Sequence, residues 1–433
     1  MAKRSDPPPD TRPKTRVGPR PLAAHLAAPN LSFLTSVAAS QPWNPASPAS
    51  KRPPPEKSRQ AKSDGRAEPK PTPSKSAESR RHLEAAAAAL TQLDAMLQGI
   101  ARYRAHDYRR DVAEPTELWR QGAARLLDYG GGAAPAVLFV PSLVNRGYIL
   151  DLSTRRSLLR YLSGVGLHPF LLDWGAPGAV ERCFRLDDYV QGPLKQALDT
   201  VASLTGAPPA LAGYCMGGTL SVAAASLWPD RVRALALLAA PWDFEAAADG
   251  MAPFFAAARR FFGPALAEFG TLPVDVLQLF FIGLDPALSA RKFARFADLA
   301  PASDAARDFV AIEDWANDGV VLAGPVAAEC LFDWYGGNTP ARGAWRIAGR
   351  TIDPRRIACP TLVVVPAADR IVPPAAAAPL ARLIPRASVL EPKAGHIGMI
   401  AGPHAETLLW RPLAAWLKQA GAPPKRRRRK TAG

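Results

Sequence analysis

The residue whose type and spacing first suggest chemistry is Cys215, in "PALAGYCMGGTLS" (209–221). An apolar run ends in Gly213-Tyr214-Cys215-Met216-Gly217-Gly218. This is the spacing of a nucleophile elbow, Gly-x-nucleophile-x-Gly, with cysteine where serine is commoner. Glycines at 213, 217 and 218 let a strand turn sharply into a helix and push the intervening side chain outward. The helix N-terminus behind the turn favours a thiolate and offers the Met216 N–H to an oxyanion. The same five residues also describe an ordinary buried cysteine in a glycine-rich turn, so the rest of the chain has to supply a base and an acid.

Both follow in order. Asp369 closes the apolar run "PTLVVVPAAD" and precedes "RIVPP". An acid in such a loop can orient a histidine and stabilise its cation. Asp243 in "PWDF" also follows an apolar run and is the competing acid. Asp369 is preferred because the histidine lies one run further on, at His396 in "KAGHIGM". Of the other five histidines, His25 and His82 lie in or beside a polar arm, and His106 precedes the apolar runs. His168 begins a run at the wrong edge, and His404 after Gly-Pro is the weaker rival. His396 can take the thiol proton and later activate an incoming hydroxyl. A second oxyanion donor is expected from "PSLVNRGYILDL", as the backbone N–H of Val144 or Asn145 paired with that of Met216.

The elements that would position these residues begin near residue 135. Apolar runs at 136–142, 168–175, 209–214, 233–241, 360–369 and 388–396 are separated, over the first five, by helix-like stretches. Continuous apolar strands alternating with helices predict an α/β fold, a mostly parallel sheet covered on both faces. The interval from 241 to 360 is too long for one crossover and reads as a mostly helical cap insertion over the carboxyl edge of the sheet, where such folds place their sites. The sequence thus divides into an arm (1–80), a helical segment (81–130), a first core part (131–242), a cap (243–345), a second core part carrying acid and histidine (346–420), and a tail (421–433). A helix is expected to start near 78–81, with Leu83, Leu90, Leu93, Leu97 and Ile100 at helical spacing.

Composition narrows the classes. The 433 residues carry a formal charge of +16, but residues 1–80 hold +9 of it and "KRRRRK" (425–430) another +6. The body is close to neutral, so the basic signal belongs to the ends and not to the site. The arm holds 16 of the 45 prolines and is expected to be disordered. Four scattered cysteines fit neither a disulfide scaffold nor a metal site, and fit a reducing compartment. No apolar run reaches transmembrane length, and the signal-like stretch at 21–40 is broken by His25, Pro29 and Asn30, so secretion is not expected.

Taken together, the blocks resemble the polyhydroxyalkanoate synthases, the PhaC-type polymerases of the α/β-hydrolase superfamily, and most of all the short type that works with a partner subunit. The resemblance runs from about Val137 to Trp416. It rests on "VNRGYILDL", "FLLDWGAPG", "RLDDYV", "GYCMGGTLS", "EDWANDG", "GRTIDPRRIACPTLVVVPAADRIVPP" and "GHIGM". The arm and the tail lie outside that pattern, and "GTLPVDVLQLFFIGLDP" follows it loosely. The resemblance places the family's catalytic residues on Cys215, Asp369 and His396. It implies transfer of a 3-hydroxyacyl group, typically 3-hydroxybutyryl, from coenzyme A to the cysteine, and attack by an acyl 3-hydroxyl to lengthen a polyester. No cofactor is expected, coenzyme A being part of the substrate. The polyester granule surface, a second synthase subunit or a homodimer are the expected partners, in the cytoplasm. Two other readings stay open at this point. One is a thioesterase, esterase or depolymerase that uses the same triad and hands the acyl unit to water. The other is a granule-associated binding protein whose basic ends hold a polyanion such as nucleic acid.

Overall fold

The computed structural model describes residues 16–27, 75–248, 250 and 252–421. Most of the arm and all but the first residue of the basic tail, which the sequence marks as disordered, lie outside the described residues. Eight strands form one sheet: β1 (Thr116–Gln121), β2 (Ala124–Asp128), β3 (Ala136–Val140), β4 (His168–Asp173), β5 (Ala210–Tyr214), β6 (Ala234–Leu238), β7 (Thr361–Val364) and β8 (Ala387–Leu390). Their order is β1-β2-β4-β3-β5-β6-β7-β8. β1–β2 and β2–β4 are antiparallel, and every other pairing is parallel. The six strands foreseen from apolar runs are present, in an α/β-hydrolase arrangement.

Leu, Ala, Val and Phe fill the central strands because both faces are covered. Every residue of β3, β5 and β6 is buried. Leu138, Val140, Leu211 and Leu237 point into one core, and Val137, Phe139, Ala212 and Leu238 into the other. Each such aliphatic side chain contributes about 1.5–3 kcal/mol by leaving water. α1 (Lys75–Ala105) precedes the sheet in the chain, and the helices flanking the strands include α2 (Leu158–Gly164), α3 (Lys195–Thr205) and α4 (Met216–Leu227). α4 is buried along its whole length, as its sequence MGGTLSVAAASL, apolar or small all round, requires.

The segment 81–130 is not helical throughout. The helix ends at Ala105, and residues 116–128 form the β1–β2 hairpin at the sheet's edge. β1 (TELWRQ) is mostly exposed and carries three charged or amide side chains, so the apolar signal that marks the inner strands is missing.

The cap is also more divided than expected. α5 (Ala252–Phe269), α6 (Val274–Leu284) and α8 (Asp304–Asn317) belong to the unit that carries the sheet, as does the helical turn sequence Gly324–Gly336. Between α6 and α8, residues 285–299, with α7 (Leu288–Ala297), instead join residues 17–105 in a second compact unit. Inside that second unit α1 crosses α7 at Gly99, where a Cβ would fall 2.0 Å from the carbonyl oxygen of Phe293. Tyr103 and Phe293 meet edge to face at 5.9 Å. α1 begins at Lys75, within the stretch assigned to the arm. Its buried face is Met96, Ile100 and Tyr103, whereas Leu83, Leu90 and Leu97 are exposed.

One described piece of the arm is held firmly. The nearly buried Arg16 guanidinium pairs with both carboxylate oxygens of Asp314 on α8, each at 2.7 Å, and also donates to the carbonyls of His106 and Tyr108.

Candidate active site

β5 ends at Tyr214, and α4 starts at Met216, which leaves Cys215 alone on the turn. Its backbone sits at φ 55°, ψ −130°, a conformation that residues with a side chain rarely adopt. The turn is held from both sides: the Cys215 N–H donates to Leu238 O at 2.9 Å, and the Gly218 N–H donates to Cys215 O at 2.8 Å. The flanking glycines are required by contact and not by dihedral angle. A Cβ on Gly217 would lie 2.1 Å from Val140 O, and one on Gly218 would lie 2.4 Å from Ala240 Cβ. On Gly213 it would fall 2.5 Å from both Gly218 Cα and Ser221 Oγ. The glycines let α4 start directly against β3 and β5.

Asp369 follows β7 and His396 follows β8, so neighbouring strands deliver them to the same edge. Asp369 Oδ2 accepts from His396 Nδ1 at 2.7 Å. Its other oxygen accepts the N–H groups of Ile371 and Val372, both at 2.9 Å. The carboxylate is fully buried and thereby fixed in direction. Tyr214 stacks on the imidazole at 5.0 Å and donates to its backbone carbonyl. Burial alone would lower the proton affinity of His396. The negative charge of a Cys215 thiolate, with hydrogen bonds to Asp369 and to the sulfur, outweighs it and raises the ring's pKa to about 10. The electrostatics therefore favour a protonated ring beside the Asp369 carboxylate.

The rivals are placed elsewhere. Asp243 accepts from Asn338 Nδ2 at 2.9 Å and from the Ala246 N–H, fastening the start of the cap. His404 is exposed, and His168 is bound to Asp128 at 2.7 Å. Of the two expected oxyanion donors, Met216 and Val144 both line the cavity over Cys215. The Val144 N–H donates to Ser142 Oγ at 3.1 Å. The loop carrying Val144 is supported by Trp315 of α8, whose indole N–H donates to Arg146 O at 2.8 Å.

The cavity measures about 430 Å³ and is walled mainly by apolar side chains of the cap, among them Phe244, Phe255, Leu277 and Phe280. Among the lining residues not singled out from sequence are Cys330, Trp334 and Tyr335, all in "ECLFDWYGG". Burial holds the Tyr335 phenol and the Cys330 thiol in their neutral forms, each pKa being raised. The density of aromatic residues there was a visible signal, but it reads equally as ordinary helix core. A wider surface depression of about 790 Å³, lined by residues such as Gln191 and Lys195, contains none of these groups.

Comparison with known proteins agrees with this fold. A family model described as the alpha/beta hydrolase fold matches residues 135–403. The poly(3-hydroxyalkanoate) polymerase subunit PhaC of Haloferax mediterranei is 31% identical over 315 residues, 70% of this chain and 64% of that protein. The subunit of the same name from Synechocystis is 32% identical over 65% of this chain and 77% of its own length. That of Allochromatium vinosum is 29% identical over 65% of this chain and 80% of its own. The match thus spans a little under two thirds of the Haloferax relative and more of the other two. With the fold, the elbow and these relatives in agreement, the chain belongs to the α/β-hydrolase fold family and, within it, to the poly(3-hydroxyalkanoate) polymerase PhaC family.

Proposed function

We propose that this protein is an acyltransferase that polymerises 3-hydroxyacyl-coenzyme A into polyester through a thioester on Cys215. The observation that carries the reading is Cys215 on its elbow, facing an apolar cavity together with a His396–Asp369 pair at 2.7 Å, in a chain of the PhaC family. In the first step the thiolate attacks the acyl carbonyl. The bond to the coenzyme A sulfur breaks, and the imidazolium passes its proton to that sulfur. In the second step the now neutral ring takes the proton of a 3-hydroxyl. The oxygen attacks the thioester, and the Cys215 thiolate leaves. The ion pair is restored, and no proton is lost to solvent. Backbone N–H groups of Met216 and of the loop at Val144 are the candidate oxyanion donors.

A thiol suits this cycle. Exchange between two thioesters is nearly isoenergetic, and the acyl-cysteine stays reactive toward a hydroxyl in a site that excludes water. A serine ester would hold the chain lower in energy and slow the next transfer. The reading assigns no cofactor, and its partners are the acyl-coenzyme A, the polymer granule surface in the cytoplasm and a second synthase subunit or copy. Among the described residues no helix is long and apolar enough to cross a membrane.

Incubation with 3-hydroxybutyryl-coenzyme A tests the reading. Release of coenzyme A with insoluble polymer is expected. Release with free acid alone would refute polymerisation and assign the same triad to hydrolysis.

A further inference from the structure

The cavity over Cys215 offers few hydrogen-bonding side chains, and most are already engaged. The Trp315 indole donates to Arg146 O, Ser142 Oγ accepts from the Val144 N–H, and the His396 ring is held by Asp369. Asn145 differs. It lines the cavity, its Oδ1 is shielded from solvent, and that atom has no hydrogen-bond partner. A buried amide oxygen left without a donor is costly, and native proteins keep few of them. Here it lies one residue beyond Val144, on the loop that faces the place of the reacting carbonyl.

We infer that the Asn145 side-chain amide binds the 3-hydroxyl of the acyl group and makes the site selective for 3-hydroxyacyl over unsubstituted acyl thioesters. The inference rests on the polymerase reading above and deepens it. The geometry of the substrate supports the assignment. The hydroxyl-bearing carbon of a 3-hydroxyacyl thioester is two bonds from the carbonyl carbon. Once the carbonyl is presented to Cys215, the hydroxyl is confined to the neighbourhood of the elbow and of the loop after β3. A group that reads it must stand there. Two other polar atoms of lining residues lack a hydrogen-bond partner: Arg146 Nε, which pairs in charge with Asp318 at 3.9 Å, and the Trp334 indole nitrogen, on the cap wall between Phe244 at 5.0 Å and Trp345 at 5.2 Å. A hydroxyl can donate to Oδ1 or, with the amide turned, accept from Nδ2, so one hydrogen bond forms in either orientation. An unsubstituted chain makes neither and leaves the amide buried and bare. Without Asn145, the apolar walls would favour the less polar chain.

The test is the rate of Cys215 acylation, followed by rapid quench and intact-protein mass spectrometry, with 3-hydroxybutyryl- and butyryl-coenzyme A. Full-length wild type and Asn145→Leu are compared. The wild type is expected to prefer the hydroxylated thioester by about 10- to 100-fold in second-order rate constant, the range for one hydrogen bond to a buried neutral group. In Asn145→Leu the ratio is expected to fall to about unity or to invert. A purely structural role would slow both thioesters together and leave the ratio unchanged, and that result would overturn the inference. So would a wild type without preference, a readout that holds even if the leucine variant does not fold. Acylation of wild type by neither thioester overturns the polymerase reading itself, and this inference with it.

Discussion

Gly217→Ala is the substitution that most directly tests whether contact between α4 and β3 sets the site. The added Cβ would stand 2.1 Å from Val140 O and 2.4 Å from Pro141 O, both backbone atoms that no rotamer change can move. Ordinary contact is restored only if α4 and the end of β3 separate by roughly 1 Å. Overpacking of this kind costs about 1–3 kcal/mol. The separation also acts on the chemistry. α4 brings the Met216 N–H, and the chain leaving Pro141 brings the loop at Val144, so the two sides of the proposed oxyanion site would move apart. A displacement of about 1 Å is enough for a loss of about 100-fold in turnover. The assay is the steady-state rate of coenzyme A release, with thermal unfolding measured in parallel. Gly164→Ala is the control, since nothing lies within 4 Å of its Cβ position and its φ is not positive. That control should keep wild-type turnover and stability within about 1 kcal/mol. Wild-type turnover and unfolding temperature in Gly217→Ala would refute the argument that the elbow is fixed by this contact.

Cys215→Ala should give no acyl-enzyme adduct by mass spectrometry, and a labelled alanine variant would remove Cys215 from the mechanism. Asp369→Asn removes the charge that holds the His396 proton and should lower turnover about 10³- to 10⁴-fold while the fold, followed by circular dichroism, persists. The His396 pKa is raised from 6.5 to about 10 in the folded state, so its contribution to stability is complete below about pH 6.5 and is lost as pH rises through 10. The wild-type unfolding temperature should therefore decline between pH 7 and pH 10, and the slope should flatten in Asp369→Asn. Arg16→Ala removes a pair of charge-assisted bonds to Asp314 and two carbonyl contacts, and should cost about 1–3 kcal/mol in urea unfolding. An unchanged midpoint would show that this part of the arm adds nothing to the fold.

The parts of the molecule that sequence revealed are those whose physics is local. Apolar runs at 136–140, 210–214 and 234–238 could be assigned because both faces of those strands are buried, and burial leaves no room for polar residues. The order Cys215, Asp369, His396 was legible because each closes such a run. β1 escaped notice because an edge strand facing solvent tolerates Glu, Arg and Gln. The division of the cap escaped for a different reason. Helical periodicity shows that 288–297 is amphipathic, but not that its apolar face meets α1, nearly 200 residues earlier. Leu83, Leu90 and Leu97 mislead in the same way: their spacing is helical, yet the buried face belongs to Met96, Ile100 and Tyr103. Asn145 was visible as a residue type next to an oxyanion loop. Its significance as a buried amide without a partner is a three-dimensional fact.

On the proposed mechanism, the direction in which the acyl-cysteine would discharge follows from what the cavity withholds. Water and a 3-hydroxyl are oxygen nucleophiles of similar basicity, and in that mechanism a neutral His396 would serve either as base. Intrinsic reactivity therefore cannot select between them, and local concentration has to. A cavity of about 430 Å³ walled by Phe244, Phe255, Leu277 and Phe280 gives water few partners, whereas a hydroxyl tethered to an apolar acyl chain is carried in by the chain's own burial. The same wall strengthens the attraction between the His396 ring and the Asp369 carboxylate, because little solvent is present to screen it. The Phe and Leu side chains of α5 and α6 thus act on the reaction twice without touching a proton. On the proposed mechanism they would keep the thioester from water, and hold the His396 proton in place until an acyl group arrived to release it.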